Sequence, residues 1–300
     1  MKRQFAIATI LIGGVITPLF SQVEMGKTKN TIMGKNKLLL VETNKMVLDN
    51  FSINLILYGF GEDQGGGGAQ VGIRADLTQI DEPLAQEIVN EAYAYFKEQW
   101  KKRGVDVASP TKAVIEASKK YSKAAKKGKS TLRIGGTENN HTKKNHNLMA
   151  WPEGENIPYS GSGPLALAGN CAHGLCYDAK FSGFNTGFSS TINFITFKSA
   201  ALGSTASVKT FPQLTAANVM TATTWQKGKV GGYIGSNNAK GVEDFYSDVE
   251  QKEIDVLNSS ANMWNYIGDK EKYKTNVLEM IKKGMDDMFA DLETVKEKAM

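Results

Sequence analysis

Cysteine, histidine and proline are all scarce in this chain. Its 300 residues contain two cysteines, three histidines and seven prolines. Two cysteines cannot build a disulfide-dense scaffold or a four-cysteine zinc ribbon. Seven prolines leave little material for rigid, proline-rich linkers. After the first residues, no apolar run reaches the roughly 20 residues that a membrane-spanning helix needs. No internal repeat of solenoid or propeller period is found. Ser160-Gly161-Ser162-Gly163 does not fit the nucleophile elbow of serine hydrolases. The run Gly65–Gly68 is followed by a strand-like segment rather than a helix and has no adjoining Lys-Ser or Lys-Thr, so it reads as a turn and not as a phosphate loop. No cofactor motif is found.

What is present suggests export. Lys2 and Arg3 precede an apolar stretch, Phe5 to Ile16, with Pro18 and Ser21 close behind. This order reads as a signal peptide over residues 1–22, with a single exported domain over 23–300. The destination expected from it is the periplasm or the outside of the cell. The remaining 41% hydrophobic and 22% charged content is that of a globular protein with a sizeable core.

Several elements can be read from periodicity. Phe51–Phe60 reads as a strand covered on both faces, Ala69–Leu77 alternates in period two, and the two predict a hairpin about the glycine run. Asp81–Arg103 predicts a helix. Leu84, Ile88, Ala92, Phe96 and Trp100 form its apolar stripe, Asp81 caps it, and Gly104 ends it. A short strand over 105–108 and a second helix over 111–127 follow. Residues 131–168, rich in Gly, Asn and Ser, read as a long irregular loop. Strands are expected over 186–198, 207–219 and 230–236, with Pro212 marking an edge or a bulge. Helices are expected over 242–257 and 277–295, and Gly284 weakens the second of these. The fold class expected is therefore α+β or α/β, a mixed or antiparallel sheet packed by about four helices. Four helical segments leave too little chain for a transmembrane barrel.

Charge is unevenly distributed. Residues 97–144 carry fourteen basic and four acidic side chains, 14 − 4 = +10. Residues 241–300 carry eight lysines against fourteen acids, 8 − 14 = −6. A basic surface centred on Lys119, Lys120, Lys123 and Lys126 is a candidate site for an anionic envelope component, with another protein as the alternative partner. Nucleic acid is disfavoured, because the cations are mostly lysine and no aromatics interleave with them.

The soft-ligand chemistry lies in one neighbourhood, with Cys171, His173 and Cys176 just downstream of His141 and His146. In an exported chain the two cysteines are expected to pair as a disulfide. A metal site from Cys171, His173, Cys176 and His141 or His146, or from His141, His146 and His173 alone, has suitable ligand types, but the spacing matches no standard zinc motif. No nucleophile is spaced to work with any of these histidines. The functional expectation is accordingly a non-enzymatic exported protein with a binding or assembly role at the bacterial cell envelope or outside the cell. The alternative is a secreted hydrolase or metal-dependent enzyme using the His141, His146 and His173 region. Intact mass of the secreted chain tests the first part of this reading. It should start near Gln22 or Val23 and lie about two daltons below the reduced value, because one disulfide removes two hydrogens.

Overall fold

A computed structural model describes residues 23–35, 43–64, 70–110, 131–142, 145–159, 184–199, 208–226, 229–241, 243–256 and 259–300. In chain order its elements are β1 (Glu24–Met25), β2 (Lys29–Gly34), β3 (Lys45–Ile56), β4 (Tyr58–Gln64), β5 (Gln70–Thr78), α1 (Glu82–Lys102), β6 (Asp106–Ala108) and β7 (Thr131–Thr142). They continue with β8 (Asn145–Tyr159), β9 (Phe184–Ser199), β10 (Val208–Gln226), β11 (Lys229–Lys240), β12 (Tyr246–Val256), β13 (Ser259–Gly268) and α2 (Lys270–Ala299).

The α+β or α/β expectation with about four helices is overturned. Strand makes up 59% of the structure, and two helices are present among the described residues. Residues 246–256, expected to be helical, form an antiparallel strand against β13. Residues 131–159, expected to be irregular, form the long antiparallel pair β7–β8. Residues 29–34 pair with β11. With two helices among the described residues, helical segments no longer leave too little chain for a transmembrane barrel. The signal peptide and the helix at 111–127 lie outside the described residues.

Two sheets organise the chain. The larger has nine strands in the order β1-β11-β10-β9-β3-β8-β7, with β2 also on β11 and β6 also on β3. The smaller has four, in the order β12-β13-β5-β4. Most neighbours are antiparallel, but β3 runs parallel to β9 and to β6, and β13 runs parallel to β5. The chain crosses between the sheets at Leu57. Its N–H donates to the His146 carbonyl at 2.9 Å in the larger sheet, and its own carbonyl accepts from Leu77 N–H at 2.9 Å in the smaller. Phe197 of β9 lies against the backbone of Gly59 and Gly61 in β4, where an added Cβ would come within 2.6 Å of its ring. The predicted bulge at Pro212 is present as a register shift between Pro212 and Thr215, within an interior strand.

Both helices cover the same face of the larger sheet. The apolar stripe of α1 is buried, as its spacing requires, and Asp81 accepts from Leu84 N–H at 3.2 Å to cap it. Phe96 of α1 sits within ring contact of Phe51 (5.4 Å), Phe188 (6.3 Å) and Phe289 (6.1 Å), so the helices and two central strands share one aromatic cluster. Each such ring, fully buried, contributes roughly 1.5–3 kcal/mol through the area it removes from water.

The seating of α2 depends on polar contacts through this core. Ser190 Oγ donates to Asn218 Oδ1 (2.8 Å), Asn218 Nδ2 to Asn237 Oδ1 (3.1 Å), and Asn237 Nδ2 to the Gly284 carbonyl (2.8 Å). The chain of bonds therefore runs across β9, β10 and β11 into the helix. One turn further on, Tyr233 Oη donates toward the Met288 carbonyl (3.0 Å) and Asp291 Oδ2 (2.8 Å). Gly284 is what lets the helix come this close, since a Cβ there would lie 2.3 Å from Asn218 Nδ2. Gly284→Ala is expected to lower stability by about 1–3 kcal/mol, because overpacking outweighs the gain of about 1 kcal/mol in helix propensity. Urea unfolding of the variant measures the difference.

Candidate functional site

Two of the predicted site residues converge. His141 and His146 are direct partners across the β7–β8 pair. Their rings meet edge to face, centroids 4.8 Å apart and planes at 74°. His141 is exposed and His146 is half-buried. Burial holds the His146 imidazole below its ordinary pKa, and the neighbouring His141 acts in the same direction, against a weaker opposing effect of Asp76. Asp76 lies in β5 opposite Tyr58 of β4. Arg74 Nε donates to Asp76 Oδ2 at 3.2 Å, and the guanidinium stands 4.7 Å from the centre of the Tyr58 ring. The histidine pair therefore sits where the β7–β8 pair joins the bend at Leu57, with a compensated acid nearby. Imidazole nitrogens in such a place can accept a metal ion. Among the described residues no group of three or more His, Cys, Asp or Glu side chains is placed to hold a metal.

The remaining predicted site residues, His173, Cys171, Cys176, Lys119, Lys120, Lys123 and Lys126, lie outside the described residues. Other members of the basic stretch have structural partners. Lys97 stands over the Tyr93 ring at 4.2 Å, Lys102 pairs with Glu98 at 2.9 Å, and Arg103 pairs with Glu293 at 3.0 Å while covering Phe289. The two helices run parallel and carry a matched series of charges. Lys270 bonds Asp81, Lys274 bridges Glu87 (2.9 Å) and Glu91 (2.7 Å), and Tyr95 Oη donates to Asp286 at 2.7 Å. A groove of about 770 Å³ beside Lys274, Lys282 and Asp286 is bordered by side chains with partners in the helix pair: Lys274 with Glu87 and Glu91, Asp286 with Tyr95, and Lys282 over the Tyr95 ring at 5.6 Å.

One surface was missed in the sequence. Strand alternation puts the residues between the core positions on the face of the larger sheet away from the helices. There Ile56, Asn193, Thr215 and Lys240 form one row across β3, β9, β10 and β11, and Asn54, Thr191, Ala217 and Asn238 form the next. Ser52, Ser189, Val219 and Ser236 make a third row, and Asn50, Gly187, Thr221 and Ile234 a fourth. The first two rows are half-exposed or exposed, whereas Ser52, Ser189, Val219, Asn50 and Thr221 are buried. Asn147 Nδ2 donates to Asn54 Oδ1 at 2.6 Å beside them. Four buried oxygens in β3, β9 and β10 have no hydrogen-bond partner among the described residues: Asp49 Oδ1, Ser189 Oγ, Thr221 Oγ1 and Thr223 Oγ1. The signal was available in the alternating Ser, Thr and Asn of these strands, but apolar periodicity does not register it.

Asp49 is the most unusual of these groups. It is 3% exposed, lies at the register shift between Leu48 and Asn50, and burial pushes its carboxyl up to about 7. No family model matches the chain, and neither a curated protein nor a solved structure matches it.

The pH response of Asp49 follows from these values. Its folded pKa lies above the ordinary 3.8, so the folded state holds a proton that the unfolded state has lost. Stability from this group is full at about pH 4 and is lost as pH rises to about 7. His146 acts oppositely, its lowered pKa costing stability as pH falls below 6.5. Asp49→Asn is expected to match the native chain at pH 4 and to exceed it at pH 8 by up to roughly 4 kcal/mol. Chemical unfolding at the two pH values measures this, and the remaining difference with pH isolates the contribution of other groups such as His146.

Proposed function

We propose that this is an exported, non-enzymatic protein with a binding role at the bacterial cell envelope or outside the cell. Its partner is an anionic, hydroxyl-rich polymer, an acidic polysaccharide being the simplest form. The observation that carries this reading is the polar face of the nine-stranded sheet. Asn54, Thr191, Asn193, Thr215 and Asn238 present amides and hydroxyls in register across four strands. Strands lie about 4.8 Å apart and same-face residues about 7 Å apart along each strand, which offers hydrogen-bond partners at regular intervals to an extended chain. The basic segment 97–144 supports an acidic partner over a neutral one, and the apolar N-terminal run supports export.

Retention on an immobilised acidic polysaccharide, compared with a neutral one, tests the reading. The chain lacking residues 1–22 should be retained only on the acidic support, and retention should fall steeply with salt. Replacing Lys119, Lys120, Lys123 and Lys126 by Glu should lower retention at least about tenfold. Asn193→Glu with Thr215→Glu should do the same without shifting the thermal midpoint. Unchanged retention in both variants counts against the proposal.

A further inference from the structure

The geometry points to a second, separate capacity, in which His141 and His146 together bind one divalent transition-metal ion. An imidazole nitrogen binds zinc at about 2.0–2.1 Å, which places each ring centroid roughly 3.2 Å from the ion. Two such rings at a tetrahedral angle have centroids roughly 5.2 Å apart, and at the right angle of a square-planar ion roughly 4.5 Å. The observed 4.8 Å lies between these values. Rotation about χ2 turns the ring nitrogens toward a common point while leaving the centroids nearly in place. The pair needs no movement of the backbone, because the strand register already sets the two residues opposite each other.

Ligand type selects the ion. Imidazole suits copper, nickel and zinc, and it discriminates against magnesium and calcium, which take oxygen ligands. With two protein ligands the remaining positions belong to water, so the ion exchanges readily and is open to a further ligand from a partner molecule. The surroundings set the strength. Asp76 supplies negative charge to His146, offset by its own pairing with Arg74. Lys143 and Lys144 lie between the two histidines in the sequence and oppose a cation. Copper(II) should bind more tightly than nickel or zinc, following the general affinity order for nitrogen sites.

An ion held here would also clamp the end of the β7–β8 pair. His146 accepts the Leu57 N–H at the crossing between the two sheets, so the site lies beside that junction. Binding to the folded state alone raises the thermal midpoint in proportion to the logarithm of ion concentration.

The test uses Cu²⁺, Ni²⁺ and Zn²⁺ as chlorides with the chain lacking residues 1–22. Isothermal titration should show one equivalent bound. His141→Ala and His146→Ala should each weaken binding at least about tenfold and remove the metal-induced rise in thermal midpoint. His141 is exposed, so its variant keeps the fold and the test does not depend on His146→Ala. A background carrying Cys171→Ser, His173→Ala and Cys176→Ser should bind as the native chain does. Lys143→Ser with Lys144→Ser should tighten binding. Equal binding by native chain and His141→Ala would overturn the proposal. So would loss of binding in the Cys171, His173 and Cys176 background, since it would assign the ion to that segment.

Discussion

The approach of α2 to the larger sheet at Gly284 is the constraint on which the rest of the core depends. The helix lies close enough for its backbone carbonyl to accept a hydrogen bond from Asn237, and that bond ends a chain beginning at Ser190. Once this spacing is set, Phe289 reaches Phe96 and Trp100, and α1 is held against Phe51 and Phe188. Amides in the middle of an apolar interface are tolerated only because each finds a partner. They also define the position of the helix more narrowly than apolar packing alone, which many sliding arrangements satisfy nearly equally well. A residue that costs helix propensity is therefore retained where a better helix former has no room.

The charge asymmetry of the chain takes on a different meaning once the helices are seen side by side. The acids near the start of α1 meet the lysines of α2, and the basic end of α1 meets Glu293. Parallel helices place like dipole ends together, an arrangement with no electrostatic gain of its own. The matched pairs offset this. Each exposed pair contributes little individually, but the series fixes the relative register of the helices. Part of the basic excess is thus consumed inside the molecule, and Lys119 to Lys126 remain the segment to which an external role is assigned.

How far the fold was legible depended on whether apolar residues were spaced regularly. The stripe from Leu84 to Trp100 marks α1 correctly because the helix buries one face only. Val71, Ile73, Ala75 and Leu77 mark β5 for the equivalent reason in period two. The β7–β8 pair failed this test. Gly135, Gly136, Asn139 and Asn140 of its outer strand carry no apolar alternation, and its register is set by neighbours rather than by its own pattern. Residues 246–256 failed differently. Phe245, Val249 and Val256 fall at helical spacing by coincidence, while the charged residues between them suit an edge strand that must not recruit another chain. The histidine pair was legible as a neighbourhood. That the two rings touch could not be read without knowing that His141 and His146 are partners across two paired strands.

The parallel pairing of β13 with β5 has a consequence for the order of events in the life of the chain. Thr78 Oγ1 donates to the Tyr266 carbonyl across 188 residues, β3 needs β9 beside it, and β2 needs β11. Contacts of such long separation close late, since loop entropy is spent before they form. No early segment can complete either sheet until the C-terminal strands have emerged. For a chain that we propose crosses a membrane before it folds, a topology that closes this late would leave the polypeptide unfolded while it is threaded.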